Sequence, residues 1–226
     1  MEFPFLIGEQ VYLRPLQLDD AVLLTEWMND SRVTRTLRPR GPVTVQEERE
    51  WIETRTRGPQ NLACAIVRRR DERMIGTAGF HGIDWQARSA EFGISIGVPA
   101  MWGRGYGTEV ARLLLAHAFR TMNLHRVWLR AHADNLGGRR SYEKAGYRLE
   151  GVQRDAVYRE GVYKDMVLMA VLRPEWERAN RPTSRPAPLR RPRTASRAGT
   201  PAGGRVRGRG PRAARPAASA RPRRAH

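Results

Sequence analysis

The chain has 226 residues, 40% of them hydrophobic, with 41 Lys and Arg against 23 Asp and Glu for a formal charge of +18. Residues 181–226 contain fourteen arginines and no acid, which leaves +4 for residues 1–180, so the charge describes an appendage rather than a basic globular domain. Cys64 is the only cysteine, which excludes an internal disulfide and a multi-cysteine zinc site and suits a reducing compartment.

No apolar run approaches membrane-spanning length, and residues 1–10 lack the basic start and long apolar stretch of a secretory leader. The expectation is a cytoplasmic protein with no membrane partner and no metal. Segment 179–226 is mostly Arg, Pro, Ala, Gly, Ser and Thr, which cannot bury enough surface to offset chain entropy, and it is predicted to be a disordered tail. Such a tail could hold RNA or ribosomes non-specifically through counterion release, without aromatic residues to stack on bases. Equally, it is what arginine-biased coding produces, since Lys144 and Lys164 are the only lysines in the chain.

Residues 11–15 read as a strand, after which Asp19 or Asp20 caps a helix carrying Leu23, Leu24, Trp27 and Met28 on one face. A helix over 44–57 follows, because Thr44 and Glu47 have capping-box spacing and Glu47, Glu48 and Glu50 suit the positive end of the helix dipole. Strands are predicted at 62–68, 74–82 and 89–98, the first two as an antiparallel hairpin about Asp71-Glu72-Arg73. In the third, alternation puts Phe92, Ile94, Ile96 and Val98 on one face and Glu91, Gly93, Ser95 and Gly97 on the other. That nearly bare face marks close approach of a ligand, of another backbone or of a tightly packed helix. Next come a helix over 108–122 with the stripe Val110, Leu113, Leu114 and Ala118, a strand at 125–132, and a short helix over 135–146 ended by Gly146. Strands at 149–158 and 163–172 form a last hairpin about Arg159-Glu160-Gly161, the second apolar on both faces and therefore central. The order predicts one mixed α and β domain over 1–178.

The segment Trp102-Gly103-Arg104-Gly105-Tyr106-Gly107-Thr108-Glu109 joins the third strand to a helix. Alternating glycines let the chain adopt positive φ and pass close to a ligand, with N–H groups converging at a helix start, as a pyrophosphate cradle requires. The segment lacks the Gly-Lys-Ser/Thr of a nucleotide P-loop, and its Gly-x-Gly-x-Gly spacing without a later acid is not the dinucleotide fingerprint. A strand with a small-residue face leading into this turn suits a diphosphate with an extended arm, which is the shape of coenzyme A.

These segments resemble the GNAT superfamily of N-acetyltransferases, most closely the branch that includes the ribosomal-protein alanine N-acetyltransferases. The resemblance covers residues 8–178. It rests on Leu13-Arg14-Pro15-Leu16 with Asp20, residues 96–109, Asn135 with Ser141-Tyr142-Glu143-Lys144-Ala145-Gly146-Tyr147, and Glu150-Gly151-Val152 through Asp165. It implies an α+β, three-layer fold with a splayed mixed sheet of about seven strands and about four helices. It also implies acetyl-CoA as co-substrate: Gly103, Arg104, Gly105, Tyr106, Gly107 and Thr108 present backbone N–H groups to the pyrophosphate, and Ile94, Ser95, Ile96 and Gly97 pair with the pantetheine arm. Asn135 is implied in coenzyme contact, and Tyr142 both in that contact and as the acid for the departing thiolate. A phenol of pKa about 10 stays protonated at neutral pH and can protonate a thiolate whose acid has a pKa of about 8.5.

Glu91, on the bare face leading to the loop, is the candidate base for the acceptor amine, with a water path as the alternative. His81, His117, His125 and His132 are further proton-transfer candidates by residue type, His117 reading as a structural residue on its helix. Cys64 shares a strand face with Leu62 and Ile66 and reads as a small buried side chain, so direct attack through a ternary complex is expected in place of an acyl-enzyme. Trp102 stands where the superfamily usually has Gln or Arg, which makes Arg104 the expected charge partner of the diphosphate. Gly137 and Gly138 predict a loose first turn of the helix after Asn135. The favoured acceptor is a protein N-terminal α-amine. The alternatives are a small amine such as a polyamine, amino acid or antibiotic, a non-catalytic acyl-CoA sensor, and a nucleic-acid tether acting through the tail. The oligomeric state stays open, a homodimer included.

Overall fold

In the computed structural model, which describes residues 3–37 and 41–181, the chain begins with β1 (Leu6–Ile7), β2 (Val11–Pro15), α1 (Ala21–Met28), α2 (Ser31–Thr34) and α3 (Val45–Thr56). It continues through β3 (Leu62–Arg68), β4 (Arg73–Asp84), β5 (Ser89–Ile96), α4 (Tyr106–Arg120), β6 (Arg126–His132) and α5 (Leu136–Ala145). It closes with β7 (Arg148–Arg159), β8 (Val162–Leu172) and α6 (Arg173–Ala179). The predicted disordered tail lies outside the described residues from 182 onward.

The strands form one sheet in the order β1-β2-β3-β4-β5-β6-β8-β7. Every neighbouring pair is antiparallel except β5 and β6, which are parallel, so the sheet is mixed. Period-2 alternation distributes each strand between two hydrophobic cores. Val11, Leu13, Cys64 and Ile66 pack with Val110, Leu114 and Phe119 of α4 on one face. Tyr12, Ala65 and Val67 pack with Leu24 and Trp27 of α1 and Ile52 of α3 on the other. The result is the expected three-layer α+β arrangement.

Local chemistry explains most boundaries. The Thr44 hydroxyl accepts from the Glu47 N–H at 3.2 Å while the Glu47 carboxylate accepts from the Thr44 N–H at 2.7 Å, the predicted capping box of α3. The predicted hairpin of β3 and β4 forms, and the last turn contracts to Glu160 and Gly161, both at positive φ (51° and 82°), as a tight two-residue hairpin requires. Three elements go beyond the about seven strands and about four helices expected: β1 with two residues, α2 with four and α6 with seven. None is long enough to show a hydrophobic period.

Asp20 does not cap α1. Its carboxylate instead grips the buried Arg14 guanidinium in two contacts of 2.7 and 2.8 Å, and a 3-10 turn over Leu18–Asp20 leads into the helix. β8 is central, but it is deeply buried on both faces only near Met169–Val171; Leu168 and Met166 remain half-buried, Leu168 lining an open cavity.

The bare face of β5 also has structural causes. A Cβ on Gly97 would collide with the Trp27 indole, and one on Gly93 with the His81 ring. Trp27 of α1 and His81 of β4 thus occupy the space that the missing side chains leave. Replacing Gly97 by Ala should cost about 1–3 kcal/mol through overpacking against Trp27. A urea titration checks this, and an unshifted midpoint would show that Trp27 moves freely.

Candidate active site

β5 and β6 pair only through Ser89↔Arg126, Ala90↔Val127 and Glu91↔Trp128. Beyond that register the two strands part, while β4 still holds the far edge of β5 up to Gly76↔Ile96. The edge of β5 after Glu91 therefore faces a gap, and its backbone groups are available to an extended ligand.

The glycine loop closes one end of this gap. The Trp102 indole N–H donates to the Ile96 carbonyl at 2.8 Å, so Trp102 fastens the loop to the strand end rather than reaching for an anion. This removes one carbonyl from the stretch 94–97 that was expected to pair with a pantetheine arm. Gly103 and Gly105 have φ of 72° and 89°. A Cβ at Gly103 would meet nothing within 4 Å and one at Gly105 only the Gln10 amide at 3.9 Å, so conformation rather than space requires glycine there.

Gly105 is the N-cap of α4 and no side chain caps it, which leaves the opening N–H groups of Tyr106, Gly107 and Thr108 facing outward. The nearby Glu109 carboxylate is turned away, accepting from the Gln10 backbone N–H at 2.9 Å and side-chain amide at 3.1 Å. Arg104 is exposed, with its Nε donating to the Ala100 carbonyl at 2.8 Å and its terminal nitrogens free among the described residues. Tyr106 turns its ring into the core.

α4 and α5 meet closely at the loop. A Cβ on Gly107 would lie 3.2 Å from the Ser141 hydroxyl, and the Thr108 and Ser141 hydroxyls are 2.9 Å apart. Asn135 caps α5, its Oδ1 accepting from the Gly138 N–H at 3.0 Å. A Cβ on Gly138 would press on that Asn135 side chain, so this glycine serves the cap.

From α5, Tyr142 sets its ring edge-on against Phe92 of β5 at 6.2 Å and against Tyr147 at 6.0 Å. Burial pushes the Tyr142 phenol up to about 12. Tyr147 is a residue that spacing did not single out. Its hydroxyl is buried without a hydrogen-bond partner among the described residues, and burial, then the neighbouring Tyr142, raises it well above the usual phenol range.

Glu91 lies on the opposite face of β5 from the Phe92–Tyr142 contact. Its Oε1 accepts from Arg130 Nε at 3.2 Å, and the Arg130 guanidinium sits 5.7 Å from the centre of the Trp128 ring. His81 is its register partner on β4. Burial holds the imidazole below its usual range, Arg55 adds to this and Glu91 opposes it, and His81 Nδ1 is buried without a partner among the described residues. Beside Glu91 opens a shallow cavity of about 390 Å³ lined by Arg126, Trp128, Arg130, Gln153 and Leu168. Tyr142 and Glu91 thus border the gap from its two faces.

Among the described residues no three His, Cys, Asp or Glu side chains cluster to hold a metal ion, and no helix is long and apolar enough to cross a membrane.

A splayed mixed sheet with a glycine loop at a helix start is the architecture of a coenzyme A-dependent acyltransferase. Residues 10–148 match the family model of the acetyltransferase (GNAT) domain, and the chain belongs to that family. It is 32% identical over 178 residues to a probable N-acetyltransferase, YjcK, of Bacillus subtilis, covering 75% of this chain and 98% of that one. It is 34% identical over 107 residues to a putative ribosomal N-acetyltransferase, YdaF, of the same organism, covering 47% and 58%. A solved spermidine N-acetyltransferase from Vibrio cholerae, in complex with CoA and spermine, superposes with a TM-score of 0.69 at 22% identity, covering 75% of this chain and 99% of that one. The protein is accordingly an acetyl-CoA-dependent N-acetyltransferase.

Cys64 is buried in the core, and burial pushes its thiol up to about 12. At pH 8 the thiolate fraction is then on the order of 10⁻⁴. Iodoacetamide should leave the folded protein unmodified and alkylate it after unfolding; rapid native alkylation would return Cys64 to the candidates for an acyl carrier.

Proposed function

We propose that the protein transfers acetyl from acetyl-CoA to the N-terminal α-amine of a peptide or protein by direct attack in a ternary complex. The observation that carries this reading is the gap between β5 and β6, with a phenol at one face and a carboxylate at the other. The opening N–H groups of α4 and the free end of Arg104 form the diphosphate cradle. The exposed edge of β5 after Glu91 takes the pantetheine arm as an added strand. The indole of Trp102 already holds the Ile96 carbonyl, so that pairing concentrates on residues nearer the gap.

The acceptor ammonium gives a proton to Glu91, and the freed nitrogen lone pair attacks the thioester carbon. The carbon–sulfur bond then breaks and the departing thiolate takes the Tyr142 proton, while the attacking nitrogen, still carrying one proton more than an amide holds, releases it to solvent; solvent reprotonates Tyr142 and takes the proton left on Glu91. A Tyr142 pKa of about 12 keeps the phenol protonated throughout the working range, so its deprotonation imposes no falling limb on the pH–rate profile below about pH 11.

The acceptor wall supports a peptide over a polyamine. The cavity is open and is lined by two guanidiniums and no carboxylate. The two acids that contact its lining arginines are thereby already paired: Glu91 with Arg130 and Glu150 with Arg126. A polycation needs carboxylates that are still unpaired. The resemblance to a putative ribosomal N-acetyltransferase points the same way.

Tyr142→Phe should lower kcat by about 10²–10⁴ with little change in coenzyme affinity, read as thiol release and by calorimetry. An unchanged rate removes Tyr142 from the acid role. Gly105→Val cannot hold φ of 89° without strain and should abolish coenzyme binding in a protein that still melts cooperatively. Retained binding would exclude the cradle.

A further inference from the structure

The two arginines of the acceptor cavity are in different states. Arg126 is saturated, gripping both carboxylate oxygens of Glu150 with its terminal nitrogens. Arg130 touches Glu91 through Nε alone, at 3.2 Å, so the two terminal nitrogens of its planar fork have no partner among the described residues. It is half-exposed, at 37% against 26% for Glu91, and it rests beside the Trp128 ring, which holds its plane at the cavity. A single long contact between partly solvated charges is readily exchanged. A carboxylate offering two parallel contacts to the free fork is a better partner than Glu91 in its present position.

We infer that Arg130 reads a carboxylate on the acceptor and, in swinging to it, uncovers Glu91 for the amine, so that the preferred acceptors are peptides with Asp or Glu at the second or third position. This rests on the peptide reading above. Extended chain advances about 3.3 Å per residue, which sets an acidic side chain at those positions roughly 3–7 Å along from the reacting amine, the separation expected for two neighbouring groups on one wall. Recognition and base release are thereby one event: the acid that docks is the acid that replaces Glu91. A neutral peptide leaves Arg130 on Glu91 and keeps the base engaged. A polyamine brings a cation to a fork that repels it.

The test uses the full chain and two peptides that differ only in Glu or Gln at the second position, with spermine as a third acceptor. Wild-type kcat/KM should favour the Glu peptide by roughly tenfold. Arg130→Gln should bring that ratio to about one, and Arg130→Lys, which keeps the charge without the fork, should fall between. Coenzyme binding measured on each variant confirms the fold. A wild-type ratio of about one, or a loss in Arg130→Gln that is equal for both peptides, overturns the role of Arg130 while leaving the peptide reading intact. Turnover of spermine and of neither peptide overturns the peptide reading itself.

Discussion

The molecule is organised around a break in backbone pairing. β5 and β6 are the only parallel neighbours in the sheet, and they hold together through three residue pairs ending at Glu91 and Trp128. A buried strand edge with unfilled N–H and C=O groups is costly unless something supplies the missing partners. The surrounding elements keep that edge open instead of zipping it shut. β4 pins β5 along its whole length on one side, and β8 does the same for β6 on the other. α4 and α5 wedge one face, tied to each other by Thr108 and Ser141, so the sheet can close neither sideways nor by collapse.

The break also sorts the chemistry by face. The α4–α5 face is dry, and there the aromatic cluster of Phe92, Tyr142 and Tyr147 raises the cost of forming a phenolate. The opposite face beyond α1 and α3 is wet and charged, with Glu91, Arg130 and Trp128 beside an open cavity. The proposed roles follow this division, with the acid on the first face and the base on the second. A group held in the gap would meet both.

Glycines show where sequence pattern and structure part company. Gly103 and Gly105 were legible, because alternating glycines before a helix have few explanations other than positive φ, which both adopt. Gly93 and Gly97 were legible as small, but not for their reason. His81, twelve residues from Gly93, and Trp27, seventy residues from Gly97, fill those spaces, and no local pattern predicts which side chain will arrive. Asn135 was open to both a capping and a coenzyme role, and the structure shows the cap. Asp20 looked like a helix cap and is a partner of buried Arg14, because a carboxylate near a guanidinium in the core has a stronger claim on it than a helix end in water.

The sequence by itself determined the family, the mixed fold, the capping of α3, the hairpins and the left-handed glycines of the loop before α4. These depend on neighbours within a few positions, where spacing alone carries the physics. Only the tertiary structure decided that Tyr142 and Glu91 stand on opposite faces of one strand, that Trp102 serves the loop rather than the ligand, and that Arg130 keeps a free fork while Arg126 does not. Those facts arise from contacts between residues six to fifty positions apart. The sheet order brings such residues together, and side-chain pairing at that range is a competition among all the groups the fold assembles.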